Sequence, residues 1–338
     1  MSTATGPNKW SDAMVAHASV IYAIYGLTLV SDIRLTLPEA HAPRGDNRTV
    51  HLLTTRADDV RFPARDVELA PDEGPQQKVL ADGSLYMCWK SWFDFLVSAD
   101  GIRVVCRNLS ESGLEHFEAY LTNFAVSAAL LQQGEETLHA TVVDIGGRAI
   151  GLLGASGGGK STLASFLRGA GGDVVTDDIL RITFENETAL AHPGPYRLKL
   201  FPRPAELFLS DTSASGRWSP VGDKHIYDLG DPTKTRSARP LTALYHLRAP
   251  VDRNDKRVTL ERLRGLDLFK TVGGSTMNNG VQSPVRVQRH FQYVKRLASV
   301  LPVYCLTYPR TFDMLPEVVE NIFRSAPPRA RYLLPDSK

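Results

Sequence analysis

The spacing of apolar positions changes character along the chain. Residues 22–33, YAIYGLTLVSDI, and 49–55, TVHLLTT, alternate as β-strands do. Residues 85–108, LYMCWKSWFDFLVSADGIRVVCRN, predict a hairpin that turns at Ala99-Asp100-Gly101. The pattern then shifts to helical spacing in 113–134, with Phe117, Tyr120, Leu121, Phe124, Ala125 and Ala128 on one face, and stops at Gly134.

Beyond that glycine the strand pattern returns. Residues 137–145 read as one strand, Gly146-Gly147 as a tight turn, and 148–153 as a second, mostly buried strand. A loop over 154–159 leads into a helix over 160–169, with Leu163, Phe166 and Leu167 facing inward and Gly171-Gly172 closing it. Strands follow at DVVTD, ILRITF, RLKLFP, LTALYHLRA and LPVYCLTYP, and helices around 287–300 and 315–324. Residues 210–240 are polar and aperiodic, which predicts a long loop or lid. Gly134 is thus the expected boundary between an α+β domain over 1–133, a candidate recruiter of substrate or partner, and an α/β domain over 134–330. A short tail, 331–338, follows.

Composition narrows the function classes. The 338 residues carry 39 basic and 37 acidic side chains, a formal charge of +2, so no general attraction to nucleic acid or membrane surfaces follows. Cys88, Cys106 and Cys305 are far apart and unpaired in spacing, which points to neither a disulfide framework nor a zinc site and fits a reducing cytoplasm. The apolar stretch 14–30 is short for a bilayer span and interrupted by His17, Ser19, Gly26 and Thr28, so it reads as folded structure.

The chemistry concentrates in 138–182. Gly154-Ala155-Ser156-Gly157-Gly158-Gly159-Lys160-Ser161, followed by Thr162, satisfies the phosphate-loop pattern between a strand and a helix. Its glycines let backbone N–H groups turn toward phosphate oxygens at a helix N-terminus; Lys160 would reach the outer phosphates and Ser161 would ligate Mg²⁺. By average composition such a match arises by chance in roughly one chain of this size in a hundred. An ABC-type ATPase shares the loop, but this chain has no LSGGQ-like signature and no distant Asp-Glu strand end.

Asp177 and Asp178 end the first strand after the loop's helix, where strand ends deliver side chains to a nucleotide crevice. One could hold Mg²⁺ while the other takes a proton from an attacking hydroxyl. Adjacent strand residues face opposite ways, so both serve only if the chain bends there. His139, alone on a strand, is by itself more often structural than catalytic.

Together these residues resemble the HPr kinase/phosphorylase family, in which a histidine, a valine-rich hairpin, a phosphate loop and paired aspartates appear in this order. His139 lies 21 residues before Lys160 and Asp177 lies 17 after it. The resemblance covers 136–184 and is weaker over GPYRLKLFP and PLTALYHL. The segments YGLTLVSDIRLTLPE and LPVYCLTYPRTFDMLPEVVENI are similar to HPr-kinase-like proteins of proteobacteria and lasso-peptide gene clusters, some of which phosphorylate a serine of a precursor peptide.

The resemblance implies a phosphate-loop kinase domain of the HPr-kinase/PEP-carboxykinase-like type. It implies ATP and Mg²⁺ as cofactors and a peptide or small protein as the phosphate acceptor. Asp177 would be the base, Asp178 and Ser161 the metal ligands, and His139 a hydrogen-bonding partner of the cluster. Arg197, with Lys199, would offset charge on the transferring phosphate. Family precedent for hexamers raises the expectation of a homo-oligomer, without an interface signal in the sequence. Ala155 stands where HPr kinases commonly carry Glu, and GPYRLKLFPRP replaces their glycine- and arginine-rich strand-loop. The expectation therefore does not extend to the phosphorylase reaction or to HPr as acceptor. A small-molecule kinase and a non-catalytic nucleotide-binding module are the competing readings.

Overall fold

The computed structural model describes residues 19–40, 48–54, 62, 76–89, 92–108, 114–209, 216–218, 223–230 and 237–325. The tail and much of the expected 210–240 loop lie outside them. The fold is mixed α/β with several sheets. Its contacts divide the chain into two compact units: residues 1–23 with 27–135, and residues 24–26 with 136–338.

The first unit is built on a seven-stranded sheet of β1 (Val20–Ile24), β2 (Leu27–Ser31), β3 (Thr49–Thr54), β4 (Gln76–Val79), β5 (Leu85–Trp89), β6 (Phe93–Val97) and β7 (Arg103–Asn108), in the order β1-β2-β3-β7-β6-β5-β4. Two expectations change here. Residues 22–33 are not one strand but the hairpin β1–β2, because Tyr25 and Gly26 both take positive φ, 53° and 70°, and reverse the chain. Residues 85–108 form three strands, since a second turn, closed by Trp92 N–H to the Trp89 carbonyl at 2.8 Å, precedes the expected one.

The helical stretch is α1 (Leu114–Tyr120) and α2 (Val126–Gln132), joined by a π-helical turn, Leu121–Ala125. Its aromatic face packs on the sheet: Tyr120 and Phe124 lie 5.1 and 5.2 Å from Trp89, ring centre to ring centre, and Phe117 lies 5.9 Å from Phe95. The helix covers one face of β5 and β6, and Tyr86, Cys88 and Leu96 on the other face pack with Val105, Leu53, Phe62 and Leu80, so every residue of both strands is buried. Gly134, φ 90°, ends the helix.

The second unit begins with β8 (Thr137–Leu138), β9 (Ala140–Asp144) and β10 (Ala149–Leu153), then α3 (Lys160–Gly169), β11 (Asp173–Thr176), β12 (Leu180–Glu185) and β13 (Thr188–Ala191). It continues through β14 (Arg197–Leu200), α4 (Pro202–Phe208), β15 (Arg217–Trp218), β16 (His225–Asp228) and β17 (Arg239–Arg248). The remaining elements are β18 (Thr259–Arg262), α5 (Gly265–Gly274), α6 (Pro284–Val300), β19 (Val303–Thr307) and α7 (Leu315–Ser325).

The long strand β17 pairs in parallel with β10 on one side and β19 on the other. β9 and β11 extend the sheet beyond β10, β18 extends it beyond β19, and β13, β12 and β8 branch from the start of β17. Because β9 is antiparallel to both β10 and β11, the C-terminal ends of β10, β11, β17 and β19 share one edge. That edge carries the site.

Alternation along β9 and β10 sends side chains to two cores. Val143, Ile150 and Leu152 pack with Leu163 and Leu167 of α3 and Val318 and Ile322 of α7. Val142, Ala149 and Leu153 pack with Val272 of α5 and Val294 and Leu297 of α6. Each such burial stabilises by about 1.5–3 kcal/mol, so the glycine loop springs from a rigid, doubly covered sheet. Gly146 and Gly147, φ 62° and 80°, close the β9–β10 hairpin. Gly171, φ 93°, donates to Arg168 and Gly172 to Leu167, which caps α3.

Residues 137–145 are two strands rather than one. The chain breaks at His139; β8 pairs with β12, whereas β9 pairs with β10 and β11. Within 210–240, β16 pairs with β14 and β15 with β16 in a small antiparallel sheet, so that stretch is structured in part.

Candidate active site

The loop between β10 and α3 has a conformation that only glycines accept at key points. Gly159, immediately before α3, holds φ 88°. A Cβ on Gly158 would lie 2.7 Å from the Ala155 carbonyl oxygen, to which Gly158 itself donates a 2.9 Å hydrogen bond. The first two residues of α3, Lys160 and Ser161, are 6% and 8% exposed.

Lys160 folds back over the loop. Its Nζ donates to the carbonyls of Gly154 (2.8 Å) and Ala155 (3.1 Å) and lies 3.0 Å from His139 Nε2. The other ring nitrogen, His139 Nδ1, is 3.0 Å from the Asp178 carbonyl oxygen. Burial, then the charge of Lys160, pushes the imidazole below its usual pKa, and burial lowers that of Lys160 as well.

Asp177 and Asp178 occupy the bend between β11 and β12. Asp178 adopts φ 71°, the left-handed region that a non-glycine residue rarely visits. This kink releases the two carboxylates from opposite strand faces. Asp177 accepts from Thr141 Oγ1 at 2.6 Å, from the Lys199 backbone N–H at 2.9 Å, and from Ser161 Oγ at 3.3 and 3.4 Å. Burial, then the neighbouring Asp178 charge, raises its pKa. Asp178 behaves oppositely: burial would raise it, but the Lys199 ammonium, 2.6 Å from Oδ2, and the other positive charge around it together hold it below the usual carboxylate range.

Most of these groups line one open cleft. Residues 156–162, His139, Asp178, and Lys199, Leu200, Phe201 and Lys224 from the paired ends of β14 and β16 line it. Gly154 and Ala155 contribute carbonyls to Lys160 behind the loop rather than to the cleft. The structure thus gathers His139, Ser156–Thr162, Asp177, Asp178 and Lys199. It does not bring Arg197 to the cleft: that residue is 8% exposed on β14 opposite Asp228, two positions before Lys199.

Three contributors were not expected. Thr141 holds Asp177; it lies two residues after His139, a spacing that alternation would have offered. Lys224 lines the cleft from the start of β16. Arg310 reaches the Gly157 and Leu247 carbonyls, each at 3.4 Å, from the chain just past the end of β19. Its position beyond a parallel strand's C-terminal end was the available signal.

No family model matches the chain, and no curated protein matches it. Among solved structures it is similar to the Hpr(Ser) kinase/phosphatase from Coxiella burnetii, with 14% sequence identity, a TM-score of 0.28, and coverage of 56% of this chain and 93% of that one. A superposition that loose carries no assignment.

Proposed function

We propose that the protein is an ATP- and Mg²⁺-dependent phosphotransferase whose acceptor is a serine or threonine hydroxyl in a peptide or small protein. The observation that carries this reading is the convergence of Lys160, Ser161, His139 and Asp178 on one cleft, with Asp177 hydrogen-bonded to Ser161 beside it, through a glycine loop that tolerates no Cβ at Gly158.

The residues suit the cofactor. Among the described residues no cluster of three or more His, Cys, Asp or Glu could hold a metal by itself. One hydroxyl and two adjacent carboxylates instead match Mg²⁺, which keeps few protein ligands and completes its shell with phosphates and water. Mg²⁺–ATP supplies the transferable phosphoryl group and partial neutralisation of its charge.

The chain's own groups do the rest. Lys160 meets phosphate oxygens by exchanging its loop carbonyls for them. Ser161 and Asp178 would hold the metal, and Asp178 suits that task because Lys199 keeps it ionised. Asp177 lies against Ser161, yet its raised proton affinity makes it the better acceptor of the hydroxyl proton. As the hydroxyl oxygen bonds to the γ-phosphorus, the bond from that phosphorus to the β–γ bridging oxygen breaks. ADP leaves, and the proton rests on Asp177.

The test is transfer from γ-labelled ATP into a cell extract resolved into peptides and metabolites. Label on peptides, lost in Asp177→Asn, supports the reading. Label on metabolites moves the acceptor to a small molecule, and release of free phosphate alone removes the kinase assignment.

A further inference from the structure

The cleft is lined by three lysines, and two of them are engaged. Lys160 holds the loop carbonyls and His139, and Lys199 pairs with Asp178. Lys224 differs. Among the described residues no carboxylate lies within ion-pair distance of it, and its ammonium sits 5.6 Å from the centre of the Phe201 ring.

Strand register builds this pair. Leu200 of β14 faces His225 of β16, so the residues just beyond that rung, Phe201 and Lys224, meet in the lining of the cleft. Leu200 turns into the core at 1% exposure, while Phe201 is left 43% exposed. An apolar ring beside an ammonium, in the lining of the cleft that the glycine loop also borders, is a surface for a chain that carries a carboxylate.

Its location gives the role. If the nucleotide occupies the glycine-loop wall, in-line transfer brings the acceptor hydroxyl from the far side of the γ-phosphate. The residues flanking that hydroxyl then pass over Phe201 and Lys224. We infer that Phe201 and Lys224 form an acceptor subsite that selects serine or threonine with an aspartate or glutamate close by in sequence. This rests on the phosphotransferase reading above and adds the substrate's charge to it.

The experiment uses the full chain, γ-labelled ATP and an oriented library of serine peptides in which each flanking position is fixed in turn as Glu, Gln or Lys. The expected result is preferential labelling of Glu-flanked peptides. Lys224→Glu should raise KM for them by about tenfold or more, shift preference toward Lys-flanked ones, and leave fluorescent-ADP affinity near wild type; Lys224→Arg should retain the acidic preference. Labelling without acidic bias, or a bias that survives Lys224→Glu, overturns the subsite and spares the kinase. A loss of ADP affinity in Lys224→Glu assigns the lysine to the nucleotide and likewise overturns it. No labelled peptide at all removes the peptide-kinase reading and the subsite with it.

Discussion

Lys160 and His139 are joined head to ring: the ammonium Nζ lies 3.0 Å from Nε2, while Nδ1 faces the Asp178 carbonyl at 3.0 Å. A carbonyl can only accept, so Nδ1 carries the hydrogen and Nε2 accepts from Lys160. The histidine is thus held neutral in one tautomer, and it aims the lysine along the loop.

That arrangement predicts a pH dependence. The folded-state pKa of His139 lies below the ordinary 6.5, so at intermediate pH the unfolded chain binds the extra proton. The stabilising effect is complete above about pH 6.5 and is lost as pH falls through the lower folded value. Melting curves of wild type and His139→Gln across this range should diverge toward acid, with wild type losing stability faster. Parallel curves would mean that His139 contributes no such linkage.

The aspartates should separate in function. Asp177→Asn removes the proposed proton acceptor, and transfer should fall by on the order of 10²–10⁴-fold while fluorescent-ADP affinity stays within a few-fold. Asp178→Asn should instead weaken the Mg²⁺ dependence of nucleotide binding, because it removes the carboxylate held ionised by Lys199. Titrations with and without Mg²⁺, beside single-turnover rates, distinguish the two. The reverse pattern would exchange the roles.

The glycine loop offers a test confined to backbone. Gly159→Ala forces a Cβ into φ 88° and should cost about 1–2 kcal/mol in urea unfolding. Gly158→Ala meets the Ala155 carbonyl oxygen at 2.7 Å, so the loop must reshape. Nucleotide affinity should collapse in Gly158→Ala while far-ultraviolet circular dichroism stays native. Retained affinity would mean that the loop's shape is not what holds the phosphates.

Legibility of this site in the sequence followed its punctuation. Glycine pairs mark the β9–β10 turn and the end of α3, and the phosphate-loop pattern is local in sequence, so each was readable. The break at His139 was not, because Leu138 and Ala140 continue an apolar run and nothing local says that β8 and β9 join different partners. The β1–β2 turn hid likewise: Tyr25, a bulky aromatic, takes positive φ where turn chemistry favours Asn or Asp. On β14 the choice between Arg197 and Lys199 depended on how far the strand reaches into the cleft. Lys224 comes from a polar stretch whose pairing with β14 has no periodic signal.

A buried ion pair holds the chain around His139 from outside the cleft. Glu136 and Arg286, both 3% exposed at the side chain, form a two-pronged pair at 2.9 and 3.1 Å. Arg286 also donates to the Met277 and Val281 carbonyls. The same loop returns to β8 through Met277 N–H to the Thr137 carbonyl, and His139 N–H donates to the Ser275 carbonyl at 2.6 Å. Arg286 thereby anchors the backbone that presents the imidazole to Lys160. Removing one partner strands a buried charge, so Arg286→Met should cost about 3–5 kcal/mol. Replacing both, Glu136→Leu with Arg286→Met, should recover much of that stability, because no buried charge remains unpaired. Urea unfolding of the single and double variants measures this, and a double variant no more stable than the single would show that the carbonyl contacts, not the ion pair, dominate. Since the double variant still lacks the donors to Met277 and Val281, its nucleotide affinity should remain below wild type even as its stability returns.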